Sequence, residues 1–203
     1  MSMRIIDDVI DTTLPIRRLR RNTLSLINAH PAMQILCIDK FVTGLATGLG
    51  LETDNLVILR VLVELTPVTL VVIPNSVWAS VNDHARLIEL KETAAFTGHR
   101  CILVQEGFIQ RQPRLDNSRL IEASGAAAVT ADQRISLLAY LIANGPSSLA
   151  DCATAIHHDT PAAAILQMSA SGIVTLKCRG HIGPDTTISL PGVHDSTPQH
   201  RAA

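Results

Sequence analysis

Between residues 68 and 106 the chain reads VTLVVIPNSVWASVNDHARLIELKETAAFTGHRCILVQE, two short apolar runs separated by a longer periodic one. Residues 70–73 are continuous and mostly β-branched, and Pro74 closes them because it has no amide hydrogen to carry a ladder further. Asn75 or Ser76 can cap a helix there, since a side-chain oxygen accepts from the first unpartnered amides. Val77, Val81, Ala85, Ile88 and Ala95 recur at helical spacing as the expected buried face, with Asn82, Arg86, Glu89 and Thr93 opposite, so one helix is predicted through Phe96. Gly98 stops it, and residues 101–104 form the next strand. A strand–helix–strand unit of this length implies two parallel strands joined by a right-handed crossover. Both strands should be buried, which suits their Val, Ile and Leu character. The expectation is an α/β domain in which residues 70–73 and 101–104 are adjacent, central, parallel strands.

Upstream, IRRLRRNTLSLINAHP has helical periodicity, with Ile16, Leu19, Leu24 or Leu26, and Ile27 on one face and Pro31 at its end. Residues 5–13 read as a short helix or an arm, set off by Pro15. Residues 33–42 alternate as a strand, GLATGLGLETDN reads as a glycine-rich turn region, residues 56–65 as a strand, and residues 66–69 as a turn around Pro67. The glycine-rich run is not a phosphate cradle. It is neither GxxxxGK[ST] nor a GxGxxG set between a strand and a helix.

Downstream of GFIQRQPRLDNSRLIEASG the composition turns Ala-rich, and a boundary is expected at residues 124–130, giving an α/β domain over 1–126 and a smaller domain over 127–190. In the latter the order is helix (DQRISLLAYLIAN), Gly145-Pro146 turn, helix (SLADCATAI), turn at 157–160 and helix (PAAAILQMSAS), then strands IVTLKC and TISL around a loop. Thr160 is expected to cap the third helix and Pro161 to occupy its first turn. Three helices followed by a two-stranded wing is the winged-helix arrangement. Residues 191–203, with Pro, Ser, His and Gln, read as a disordered tail.

Charge and cysteine usage narrow the function classes. A net charge of −1 over 203 residues gives no overall attraction to polyanions, but the 17 basic residues are mostly Arg and they cluster, as Arg17, Arg18, Arg20 and Arg21 and again as Arg111, Arg114 and Arg119. Aromatics at 2% require an aliphatic core. Cys37, Cys101, Cys152 and Cys178 form no CxxC pair, and without a signal peptide they read as reduced, mostly buried cysteines of a cytoplasmic protein. Arg60, Glu64 and Pro67 interrupt the best apolar run before it reaches the roughly 20 residues of a membrane helix. Cys152 with His157 and His158 lacks the second cysteine or matched histidine spacing of a zinc site. Ser25, Ser76 and Ser124 have no identifiable His and Asp partners, and His84 reads as structural.

The order of a helix ending in HPAM, a strand, a hairpin, a strand–helix–strand unit, the phrase GHRCILVQEGFIQRQPRLDN and a small winged helix resembles the TnsA-type transposon endonucleases and their PD-(D/E)xK nuclease relatives, over most of residues 15–190. In that family a linker of pattern I-R-x-Q-P-x-L-x-N follows the second strand, matched by Ile109, Arg111, Gln112, Pro113, Leu115 and Asn117. The resemblance implies a restriction-endonuclease-like mixed sheet with flanking helices, followed by the winged helix. It also implies a carboxylate on the first helix, an Asp entering the hairpin and an E/QxK pair on the next strand, the acids holding Mg²⁺ and the Lys acting on water. This sequence departs from that set. No acid lies between Asp11 and Asp39, the strand reads Val71-Val72-Ile73 before Pro74, and only Asp54 or Glu52 could stand for the hairpin Asp.

The expectation is therefore a fold retained without its chemistry: no catalytic residue, no metal ligand and no cofactor. Nucleic acid would be held by Arg17, Arg18, Arg20, Arg21, Arg111, Arg114 and Arg119, with Arg179 and His181 on the wing. The partners would be DNA, or a partner protein or second copy within a transposition- or recombination-type complex, with no membrane. One alternative is an active Mg²⁺-dependent endonuclease using Asp83, Glu89 and Lys91. It needs residues 86–91 to be a strand, because on a helix Glu89 and Lys91 are separated by two steps of about 100°. The other alternative is a protein-interaction or dimerisation module without DNA binding, since Ala162, Ala163, Ala164, Ile165 and Met168 offer no base-reading Arg or Asn.

Overall fold

The computed structural model describes residues 13–192. Of the arm expected at residues 5–13 and the tail expected at residues 191–203, residues 5–12 and 193–203 lie outside the described residues, and Thr13 belongs to the first helix. The chain divides into two compact units, Met1–Ile27 with Met33–Arg111, and Asn28–Ala32 with Gln112–Ala203. The division falls at Arg111/Gln112 rather than at residues 124–130, because the helix that begins at Arg114 packs within the second unit.

The first unit comprises α1 (Thr13–Asn28), β1 (Met33–Cys37), α2 (Lys40–Gly48), a 3₁₀ turn (Thr53–Asn55), β2 (Val57–Val63), β3 (Thr66–Ile73), α3 (Asn75–Ala79), α4 (Val81–Phe96), β4 (Cys101–Gln105) and α5 (Glu106–Ile109). The four strands lie in the order β1-β2-β3-β4. β1 pairs antiparallel with β2, and β2 antiparallel with β3. β3 and β4 are parallel, with Leu70 opposite Ile102 and Val72 opposite Val104. Alternation of side chains across the strands builds two apolar layers. Ile58, Val71 and Ile73 pack with Val42 and Ala46 of α2 and with Leu87, Leu90 and Ala94 of α4. Val57, Leu59, Val61 and Val72 pack with Leu19 and Ile27 of α1. The sheet is thus covered by helices on both faces.

Several local expectations are corrected. β4 is an edge strand, not a central one, and its Ile102 is 40% exposed. The glycine-rich stretch is helix α2, because the Asp39 carboxylate accepts from the Val42 amide at 3.1 Å and Val42 and Ala46, one turn apart, are fully buried. Capping and burial together outweigh the helix cost of its glycines. Pro67 lies inside β3 opposite Leu62, and the turn is Glu64-Leu65. Proline is tolerated there because β4 joins β3 only from Thr69 onward, so the missing N–H has no ladder to break on that side. The long helix breaks at Ser80, whose hydroxyl accepts from the Asp83 amide and starts α4 in a new phase. Its buried face is Leu87, Leu90 and Ala94, while Val81 is 84% exposed and Ile88 39%. Cysteines divide evenly, Cys101 and Cys152 buried, Cys37 and Cys178 exposed, rather than being mostly buried.

The second unit comprises α6 (Arg114–Ala123), a 3₁₀ turn (Ser124–Ala126), α7 (Ala131–Asn144), β5 (Ser147–Ser148), α8 (Leu149–Thr154), α9 (Pro161–Ala170), β6 (Thr175–Lys177) and β7 (Thr187–Ser189). The phrase expected as a linker is therefore the end of α5 and the start of α6. β5, too short to leave a periodic signal, joins β7 and β6 in an antiparallel sheet ordered β5-β7-β6. Thr130 and Gln133 form a reciprocal capping box at the start of α7. Pro161 occupies the first turn of α9 as expected, but the Thr160 hydroxyl does not cap it. That hydroxyl and the Thr160 amide, which donates at 2.9 Å, both meet Nδ1 of His158. Leu137, Leu141, Cys152, Ile165, Met168 and Ile188 are the heart of this unit's core. Among the described residues no helix is long and apolar enough to cross a membrane.

Candidate nucleic-acid interface

α1 is amphipathic, and over residues 17–21 the side turned from the sheet is cationic. Leu19, Asn22, Thr23 and Ile27 are buried, whereas Arg17, Arg18, Arg20 and Arg21 are all exposed. At about 100° per residue the four guanidinium-bearing positions span an arc of about 160° centred opposite Leu19. The helix carries no acidic residue, and among the described residues none of these arginines has an ion-pair partner. Among the described residues no acid offsets their mutual repulsion, which solvent or a bound anion would relieve.

Beside this helix the sheet leaves a gap. β1 pairs with β2 only from Arg60 to Val63, with a register shift between Ile35 and Cys37 before the last pair, Cys37 with Arg60. The chain then turns away through Ile38 into α2, so the outer edge of β2 at residues 57–59 has no strand beside it. A cleft of about 290 Å³ occupies this place. Arg17 and Arg20 line it from α1, Thr43 from α2, and Thr53 and Asp54 from the 3₁₀ turn, over an apolar floor that includes Ile38 and Leu56. Arg18 and Arg21 do not line it.

The carboxylate positions compared with a nuclease fall apart. Asp54 reaches the cleft, but Val71 and Ile73 are fully buried in the apolar layer under α2 and α4, so this part of β3 offers neither an acid nor a lysine. Glu52 lines a separate hollow of about 110 Å³ with Asp83 and Arg86. There Arg86 approaches Asp83 at 3.4 Å and donates to the Gly50 carbonyl at 3.0 Å. Residues 86–91 are helical, and both Glu89 and Lys91 are exposed on α4. The alternative set Asp83, Glu89 and Lys91 is thus not gathered: Asp83 sits with Glu52 and Arg86. Among the described residues no group of three or more His, Cys, Asp or Glu could hold a metal ion.

A buried polar network ties α2 to the sheet. Asp39, 3% exposed, receives the Thr69 hydroxyl on its second oxygen. Burial works to raise its pKa, but the Thr69 and Val42 hydrogen bonds and the charges of Arg60 and His99 outweigh it, holding the carboxyl below its ordinary 3.8. Burial, with the Asp39 charge, pushes the Cys101 thiol up to about 11, and burial with Asp151 does the same to Cys152. Neither is a thiolate nucleophile near neutral pH. Cys152 belongs to the core, and His158 is engaged by Thr160 and, through Nε2, by the Ala128 carbonyl at 3.1 Å, so these residues build no zinc site. His84 meets Trp78 edge-on, with ring centroids 4.7 Å apart.

The remaining arginines differ in availability. Arg111 is exposed in the first unit. In the second, Arg114 is half-buried, Arg119 lies 3.6 Å from Asp116, and Arg179 is exposed on the loop between β6 and β7. That loop is clamped by Asn117, whose Nδ2 donates to the Gly180 carbonyl at 2.8 Å while Oδ1 accepts from the Ile182 amide at 2.9 Å. In the sequence Asn117 stands out only as part of a phrase, and neither the Asp39–Thr69 link nor the cleft is visible there. Each joins residues far apart in the chain, with no local signal. No family model, curated protein or solved structure matches this chain.

Proposed function

We propose that the protein is a nuclease-like α/β unit without nuclease chemistry, followed by a winged helix, that binds DNA or assembles with a DNA-processing complex of the transposition or recombination type. The carrying observation is the arginine face of α1, four cations without an acid on the helix, beside a cleft at the open edge of β2. The order α1, β1, β2, β3, α4, β4 in the first unit, with α2 inserted between β1 and β2, and the parallel pairing of β3 with β4 support the nuclease-like reading. The order α7, β5, α8, α9, β6, β7 with a three-stranded sheet supports the winged helix. Loss of chemistry follows from Val71 and Ile73, since a buried apolar pair gives Mg²⁺ no ligand and water no base.

Binding of this kind is electrostatic, tolerant of sequence and steeply salt-dependent. Fluorescence anisotropy against a short labelled duplex, titrated with salt, tests it. Arg18→Gln with Arg21→Gln should weaken binding and reduce the log–log salt slope by about 0.9 for each phosphate that is no longer neutralised. Absence of duplex binding at low salt sinks the DNA reading. One observation then favours a protein-interaction module: a nearly apolar groove of about 580 Å³ on the second unit, lined by Leu120, Leu149, Pro161, Ala162, Leu166 and Ile182. The exposed start of α9 there offers alanine rather than a base-reading side chain.

A further inference from the structure

We infer that the cleft between α1 and α2 takes one unstacked nucleotide, either at a strand end or displaced from a duplex, with its phosphate on Arg17 and Arg20 and its base over Ile38 and Leu56. This rests on the nucleic-acid reading and narrows it to the single nucleotide that is bound. The four arginines of α1 divide into two pairs: Arg17 and Arg20 line the cleft, while Arg18 and Arg21 do not and are left for backbone phosphates outside it. Two guanidinium groups at one wall, without an ion-pair partner among the described residues, call for an anion with several oxygens in reach, which a phosphate supplies. The floor is the opposite in character, aliphatic throughout, and suits the face of a base rather than a second phosphate.

The open strand edge supplies the polar recognition. Alternate residues of a strand turn their N–H and C=O to the same side; Val57 and Leu59 are in phase with the pairs bonded to β3, so in the stretch that β1 does not cover it is Ile58 that turns one main-chain donor and one acceptor to the open edge. A base edge carries the matching pattern. Asp54, an acceptor, adds preference for a base with an exocyclic amino group and repels a second phosphate from that end. A volume of about 290 Å³ lies at the lower limit of ligand pockets, enough for a single nucleotide and too small for a stacked duplex step.

Two measurements on the full chain test this. The first compares anisotropy on a blunt duplex with the same duplex bearing one unpaired 3′ adenosine. The second titrates deoxyadenosine monophosphate and inorganic phosphate calorimetrically. The overhang should bind about tenfold tighter than the blunt duplex, the scale of placing one base on a protein surface. Arg17→Gln with Arg20→Gln should erase that preference, and Arg18→Gln with Arg21→Gln should keep it while weakening both duplexes. Ile38→Ser, at a side chain 52% exposed, should remove apolar floor from under the base and reduce the preference without touching any charge. Equal binding of blunt and overhanging duplex, with no uptake of the monophosphate, overturns the inference while leaving the DNA reading intact. Monophosphate binding that needs Arg17 and Arg20 in a chain that ignores both duplexes keeps the nucleotide site and removes the DNA reading. Phosphate binding equal to that of the monophosphate means that the base is not recognised, and the inference fails.

Discussion

Val72 is fully buried between β2 and β4, its side chain turned toward the layer beneath α1. A lysine there would bury an unpaired ammonium, so Val72→Lys should cost about 3–5 kcal/mol in chemical denaturation. Unchanged stability would mean that β3 is not an inner strand. Thr69 acts by polarity instead. Its hydroxyl stabilises the charged form of Asp39, whose folded pKa lies below the ordinary 3.8. A depressed carboxyl contributes stability that is present above the unfolded value near 3.8 and lost as pH falls below it toward the folded value. Thr69→Val removes the hydrogen bond and leaves the burial, so the folded value should rise and acid unfolding should begin at higher pH. At neutral pH the loss should be about 1.5–3 kcal/mol, the worth of a hydrogen bond to a charged group. Identical stability-versus-pH curves for variant and wild type would assign Asp39 to capping alone.

At the scale of elements, the β2–β3 hairpin carries a measurable flaw. Its two turn residues, Glu64 and Leu65, both have positive φ, 48° and 71°, and Leu65 is 87% exposed. Two-residue hairpin turns of this hand favour Asn-Gly because a Cβ is strained there. Leu65→Gly should therefore raise stability by about 1 kcal/mol without loss of packing, read as a shift in denaturant midpoint at constant slope. A destabilised variant would show that Leu65 is held by contacts beyond the turn. The hairpin also shows how far elements are legible. The run 57–63 and the pair 70–73 and 101–104 follow from apolar continuity, and the parallel direction of that pair follows from the helical crossover between them. The turn did not, because the Pro67 signal outweighed two residues with no turn chemistry. Helix α2 was hidden by its glycines, and the break at Ser80 by apolar residues on either side that keep helical spacing across it. In each case a cap or a burial pattern decided against the local composition.

For the whole molecule, Glu89 and Lys91 lie on a helix and Asp83 pairs with Arg86, so the chain should not nick supercoiled plasmid in Mg²⁺ or Mn²⁺. Nicking that disappears in Glu89→Gln would restore the enzyme reading. What the sequence by itself determined is whatever periodicity and residue type encode locally. These are the α/β class, the strand–helix–strand unit, a helix bearing four exposed arginines, a second helical unit, and the want of an acid–lysine pair on β3. The tertiary structure alone decided where β1 stops along β2, and with it the cleft. It likewise decided which two of the four arginines meet that cleft, the link from Asp39 to Thr69 across 30 residues, and the clamp of Asn117 on a loop more than 60 residues away. The reason is physical. Hydrophobic spacing fixes which face of an element is buried, but the register and length of a strand pairing arise from contacts between distant segments, and a cavity is what those pairings leave uncovered.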